Sequence, residues 1–365
     1  MRLDFFPSRT LNIYLARTFI LRILAVLLML VLVLQMLDLL GESGKILGHP
    51  GNGEAELWRY VSLRIPQLIA RFLPYSVLLA TIITLATLNQ NSEVIAMKAA
   101  GLSAHQVLAP LVLTALAVSI LSFAFNELVV TRSTASLSAW EGAEYGPIPQ
   151  DSGTRSNVYF ADGSDILTAT TLTGSGTGVV MEGVTYYARD ARGMISRQIR
   201  SPRAAYAAPG WLLEEPTQFE VQSAETEQLE PMVVAEGLTP RQVAISGINP
   251  DAQNIVELRR SIGLLESAGQ RTDELRGKWW HKFSGPLSAV LMPLLGAVAA
   301  FGLARSGQLF LRAVIGMSLG FAYFVIDNAA LAMGNFGGYP PLLAAWAPFL
   351  LFLLVGETVL IRTEE

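Results

Sequence analysis

The pentapeptide Gly316-Met317-Ser318-Leu319-Gly320 matches the G-x-S-x-G of a nucleophile elbow, where a strained strand-to-helix turn presents a serine hydroxyl. Here it lies inside a long apolar run with no strand signal before it, so the turn that exposes the hydroxyl is missing. Small residues at this spacing suit close helix packing better. The GSGTG at Gly174 to Gly178 lacks the lysine of a phosphate-cradling loop and reads as a turn between β-like runs. His49, His105 and His281 are far apart without ligand spacing, and the absence of cysteine excludes thiol catalysis and zinc–thiolate sites. These readings predict a non-catalytic chain with no metal or cofactor of its own.

The charged residues that remain fall into a pattern set by the solvent. Of 365 residues, 52% are hydrophobic and 15% charged, with a mean hydropathy of +0.42. Residues 133–282 hold 32 of the 56 charged side chains. That asymmetry excludes a single soluble globule and predicts a membrane protein with one water-facing insertion. Net charge is −4 with no basic run, which leaves nucleic acid without an electrostatic footprint.

A helix needs about 20 apolar residues to cross the hydrocarbon. Suitable runs are Thr18 to Leu40, the uncharged stretch between Arg71 and Glu93, Val107 to Phe125, the stretch between Lys282 and Arg305, Ala313 to Met333, and Pro341 to Ile361. They predict a polytopic α-helical membrane protein of six spans, three on either side of the insertion. The first run is too long for a cleaved signal peptide and reads as a span preceded by an amphipathic stretch around Leu11, Leu15 and Phe19. Arg2, Arg9, Arg17, Arg22, Lys98, Arg305, Arg312 and Arg362 fall on one side, against Lys45, Arg59, Arg64 and Arg71 in short segments on the other. By the positive-inside rule both termini are cytoplasmic and the insertion is periplasmic.

Within the insertion, NVYFADG, DILTATTLTG, GVVMEGVTYYARD, GMISRQIRS, WLLEEPTQFEVQS and EPMVVAEG are rich in β-branched and aromatic residues. Turns are expected at Asp162-Gly163, Ala191-Arg192-Gly193 and Pro209-Gly210, giving a small antiparallel sandwich or open barrel. A helix with Ile255, Leu258, Ile262 and Leu265 on one face follows, stopping at Gly269, and Trp279 and Trp280 suit the membrane interface. Expected boundaries are 1–132 for spans one to three, 133–250 for the β-rich domain, 251–282 for a helical connector and 283–365 for spans four to six.

Between spans two and three lies LNQNSEVIAMKAAGLSAHQ. Asn91 or Ser92 can cap a short helix, Gly101 can end it, and Ser103 can cap the next. Val94, Ile95, Met97 and Leu102 give it apolar surface, with Glu93 and Lys98 at exposed positions. It is either a plain connector or a docking helix for a cytoplasmic partner.

Asp38, Arg71, Asp327 and Glu357 are ionisable residues within the apolar runs, each costing about 2.5–3.5 kcal/mol on insertion scales, with Arg22 snorkelling to the inner interface. Structural pairing is the first reading for the acids Asp38 and Asp327, with Arg71 or Arg64 as the partner of Asp327. An anionic lipid would look instead to Lys45, Arg71 and Arg132, which are placed for charge-assisted bonds to phosphates.

Three spans, a β insertion, three spans, the NSEVIAMKAAGLS loop, RAVIGMSLGFAYFVIDN and the GGYPPLLAAW turn, in that order, resemble the lipopolysaccharide-export permease family, most closely its G-type subunit. The resemblance covers essentially the whole chain and implies a jellyroll-like periplasmic domain. It implies as partners an F-type permease subunit, a cytoplasmic ATP-binding-cassette ATPase dimer that binds the ATP and Mg, a periplasmic jellyroll bridge protein, and lipopolysaccharide in a bacterial inner membrane. Carried over by position, Asn91, Ser92, Glu93, Val94, Met97, Lys98 and Gly101 belong to the coupling helix. Spans one and five would form the lateral gate, with Val33, Met36, Phe321 and Phe324 as gate or cavity residues. At the outer end of span one the chain departs from the family's basic residues, carrying Gln35, Gly41 and Glu42 with Lys45 nearby. A membrane-anchored periplasmic ligand sensor is the alternative reading.

Overall fold

The computed structural model describes residues 8–364 apart from 148–154, 163–164, 175–177, 191–192, 222, 241–242, 244–248, 268–270 and 302–308. Arg2, Gly163, Ala191, Arg192, Gly269, Arg305 and the centre of GSGTG therefore lie outside the described residues.

The first long helix, α1, runs Arg9–Gly48, and its 40 residues make it about 60 Å long, twice the hydrocarbon thickness. The amphipathic start and the first span are thus one rod, with Leu15, Phe19 and Ile23 buried along one side. Helix α2, Glu54–Gln90, carries Pro66 and Pro74 inside it. A short α3, Glu93–Ala99, follows and ends at Gly101, whose φ of 86° only glycine adopts without strain. Ser103 then opens α4, Ala104–Phe125, with a reciprocal capping box to Gln106.

Helix α4 does not stop at the predicted end of span three. A π-turn at Asn126–Val130 joins it to α5, Thr131–Gly142, so residue 132 falls inside a continuous rod. The apolar window locates only the part that lipid must cover, while polar turns prolong the helix into water. The same holds for span four. Past the connector helix α6, Ile255–Ser267, helix α7 runs unbroken over Asp273–Phe301, so no boundary occurs at residue 282. Helices α8, Leu309–Asn335, and α9, Pro341–Glu364, complete the bundle.

Among the described residues, α1, α2, the α4–α5 rod, α8 and α9 are the five helices long and apolar enough to cross a membrane. Helix α7 sits at the centre, packed on α2, α4, α8 and α9. Glycines permit that closeness. Gly320 meets Leu78, Gly296 meets Thr81, and a Cβ on Gly334 would lie 2.5 Å from that of Ala344. In lipid the attraction between helices is mostly van der Waals, so such contacts matter more than apolarity itself.

Among the described residues the insertion is an antiparallel sheet of eight strands, β1 Arg155–Asp162, β2 Asp165–Thr173, β3 Val180–Arg189, β4 Ile195–Ala207, β5 Gly210–Glu214, β6 Thr217–Glu220, β7 Thr226–Gln228 and β8 Met232–Val234. The order is β1-β2-β3-β4-β5-β8, and β6 pairs with the first half of β4 while β5 pairs with the second. The run WLLEEPTQFEVQS accordingly divides into β5 and β6. At the Thr170–Gly183 level the in-out alternation shifts. Gly183 has φ 61° and packs under Thr170, so Met181 and Val184, three apart, are both buried. Trp211, fully buried, donates from Nε1 to the Leu238 carbonyl at 2.8 Å.

Candidate functional site

Two cavities and one surface helix gather the chemistry-bearing side chains. The first cavity, about 810 Å³, lies where the end of α1, the start of α2 and the end of α5 meet. Its lining includes Asp38, Glu42, Glu141 and Glu144 against Lys45 and Arg64. Asp38 binds Arg64 through both oxygens, at 2.9 and 3.0 Å, and accepts the Tyr60 hydroxyl at 2.6 Å. Lys45 is 66% exposed and pairs with Glu42 at 2.8 Å. Tyr145 donates to the other Glu42 oxygen at 2.9 Å, and burial together with that bond pushes its phenol well above the usual range, so it stays a donor. Four carboxylates to two cations make this cavity unfavourable for a phosphate, and Lys45 is placed poorly for that role.

The second cavity, about 670 Å³, opens between α2, the α4–α5 rod, α7 and α8 at the sheet end of the bundle. Arg71 lines it. Arg132 does not: the residues of the rod that do, among them Asn126, Val130, Thr134, Leu137, Ser138 and Glu141, occupy a different face. Asp327 also lines it, paired through Oδ2 with His281 at 3.0 Å, and neither Arg71 nor Arg64 is its partner. The correction has a rotational cause. Arg64 points along α2 toward Asp38 on α1, whereas His281 on α7 faces α8. At the base of the cavity Tyr75 and Phe324 stack at 3.8 Å.

Beside this cavity, α7 is locked to the π-turn. Lys282 and Glu127, 10% and 16% exposed, pair at 3.0 Å, and the second Glu127 oxygen accepts the Ile255 amide at 2.6 Å. Asn254 and Glu257 form a capping box on the same α6 terminus, Asn254 Oδ1 accepting from the amides of Val256 and Glu257. Every free donor of that helix start is thereby satisfied. Lys282 and Glu127 each bound a charge-free run in the sequence; their opposite signs were the available signal for the pair.

At the far end of the bundle, α3 buries Val94 and Met97 and leaves Ile95 59% exposed and Lys98 outward. Ser92 is its N-cap residue, at φ 61° and without a side-chain cap bond, and Asn91 donates to Glu93 at 3.4 Å. Glu93 also accepts the hydroxyl of Tyr14 at 3.2 Å, a contact between α3 and α1 that residue patterning does not reveal. Nearby, His105 on α4 faces Glu357 on α9 at 3.4 Å.

Of the gate candidates, Val33, Met36 and Phe321 face outward from the bundle, whereas Phe324 is buried in the second cavity. Helix α1 packs on α2 and α4, and α8 on α7, α9 and α2, so α2 stands between spans one and five of the same chain. Ser318 is exposed within continuous helix α8, with no strand or turn to activate it. Among the described residues no three acidic or histidine side chains converge on a metal position.

Residues 13–362 match the sequence profile of the family described as Lipopolysaccharide export system permease LptF/LptG. The chain is also similar to the lipopolysaccharide export system permease protein LptG of Escherichia coli (strain K12), 26% identical over 372 residues, 98% of this chain and 99% of that protein. The protein of that name from Haemophilus influenzae (strain ATCC 51907 / DSM 11121 / KW20 / Rd) is 24% identical over 325 residues, 86% of this chain and 89% of the relative.

Proposed function

Because the chain belongs to the LptF/LptG family of lipopolysaccharide export permeases, we propose that it is one half of a transmembrane path driven by an ATPase on another chain. Lipopolysaccharide is the cargo that the family carries. The observation that supports the mechanism is α3, a short helix at the end of the bundle opposite the sheet, held by Val94 and Met97 and displaying Glu93, Ile95 and Lys98. That is the build of a docking element: apolar anchors fix it, and a mixed apolar and charged face is left for a partner. In this reading a cytoplasmic ATP-binding-cassette dimer docks there, with ATP and Mg on that dimer.

The stroke has a path through this chain. A push on α3 reaches α1 through the Glu93–Tyr14 hydrogen bond and reaches the core through Val94 and Met97. Since α2 separates spans one and five, a gate between such spans takes one from each of two permease chains. An F-type subunit fits that place, with the exposed faces of α1 and α8, including Val33, Met36 and Phe321, turned toward it or toward lipid. Closure then narrows the path and drives the lipid toward the sheet domain and a periplasmic bridge protein. The insertion is periplasmic and both termini cytoplasmic in this reading.

The test separates docking from transmission. Glu93→Trp should abolish both ATPase co-purification and ATP-driven lipid release. Tyr14→Phe should leave co-purification intact and slow release several-fold. If both association and release persist in Glu93→Trp, α3 is only a connector and the mechanism is wrong.

A further inference from the structure

We propose that the second cavity binds a phosphoethanolamine head group, its phosphate on Arg71 and its primary ammonium on Asp327. At about 670 Å³ the cavity falls within the roughly 300–1,000 Å³ of small-ligand sites. Of its basic side chains, Arg64 is committed to Asp38, Lys278 to Asp251, Lys282 to Glu127 and His281 to Asp327. Arg71 has no acidic partner among the described residues. Asp327 is its counterpart: its side chain is 8% exposed, His281 occupies Oδ2, and Oδ1 has no partner among the described residues.

The two groups stand at one level. Tyr75 on α2 and Phe324 on α8 are stacked, and the two helices run in opposite directions. Arg71 lies four residues before Tyr75 and Asp327 three after Phe324, so each sits about 4.5–6 Å further along its helix axis, both toward the sheet end. Arg71 and Asp327 thus line the same cavity without pairing with each other. A phosphate and an ammonium joined by a two-carbon spacer present the complementary pair: the guanidinium takes phosphate oxygens, and the ammonium supplies the N–H that Oδ1 needs. A quaternary ammonium has the charge but no donor, and a glycerol head group has no charge at that end.

The site rests on the permease reading only for its place in a membrane. The experiment uses the complex purified with its partner chains in nanodiscs of phosphatidylethanolamine, its mono- and dimethyl derivatives, phosphatidylcholine or phosphatidylglycerol. Retained lipid is counted by native mass spectrometry. Retention should hold while an N–H remains, through the mono- and dimethyl derivatives, and be about tenfold lower for phosphatidylcholine, the worth of one charge-assisted hydrogen bond. Asp327→Asn should erase that difference while keeping phosphate binding, and Arg71→Gln should lower retention of every phospholipid. Because the methylation series uses the unaltered protein, it can be read even if a variant misfolds: equal retention across the series, with no preference in the arm that follows, overturns the proposal. A second arm compares lipopolysaccharide with and without phosphoethanolamine on its phosphates. Preference there assigns the site to the cargo, and preference only in the first arm assigns it to the bilayer. Lipid release measured in parallel keeps the readings apart. Failed release with a preserved preference defeats the permease mechanism, and normal release with no preference in either arm defeats this site.

Discussion

Neutralising one member of the Lys282–Glu127 pair should loosen α6 from the bundle, and the cost can be worked from its surroundings. Both side chains are at least four-fifths buried, and they meet at 3.0 Å. Breaking such a pair leaves an uncompensated charge, which costs about 3–5 kcal/mol in a dry interior. This pair sits where the bundle meets water, so about 2.5 kcal/mol is the expected loss for Lys282→Met or Glu127→Gln. The double variant removes both charges and should also cost about 2.5 kcal/mol, an interaction energy near 2.5 kcal/mol in a double-mutant cycle. Glu127→Gln keeps an oxygen for the Ile255 amide, whereas Glu127→Ala removes it and exposes the α6 terminus. Hydrogen exchange followed by mass spectrometry reads this locally. Amides at the start of α6 should exchange about sixty-fold faster in either single charge variant, the equivalent of 2.5 kcal/mol. Exchange in the sheet strands should stay unchanged. Strictly additive single effects, or a rise below about threefold, would mean that water already screens the pair and refute the reasoning.

Two further outcomes follow from packing. Gly334→Val should part α8 and α9, because the Ala344 Cβ has nowhere to retreat; a cost of about 1–3 kcal/mol is expected as a lower melting temperature in detergent. Gly263→Ala, on α6 with open space around it, is the control and should not lower that temperature. Trp211→Phe should leave the Leu238 carbonyl without its donor and lose about 1–3 kcal/mol, read as faster exchange in β5 and β8 of the full chain.

Much of this architecture is written in one dimension. Apolar windows mark where lipid must be met, and the charge density of residues 133–282 marks the insertion, because each depends on what a segment is made of rather than on what it touches. The short helix between spans two and three was equally readable: Ser103, Gln106 and Gly101 act on backbone groups within a few residues, so their meaning is local. The strand runs were visible for the same reason, although the phase shift at Thr170 and Gly183 was not, since it appears only when two strands are paired.

The choice of partners was decided elsewhere. Sequence patterning offered Arg64 or Arg71 to Asp327, and the structure joins Arg64 to Asp38 and Asp327 to His281. Likewise Tyr14 meets Glu93 across 79 positions, and Glu127 meets both Lys282 and the Ile255 amide. Each of these depends on the rotation and axial level of two helices packed against each other, and a π-turn or a glycine contact resets both. Composition places a charge in the membrane region, but only the packed bundle determines which side chain faces it.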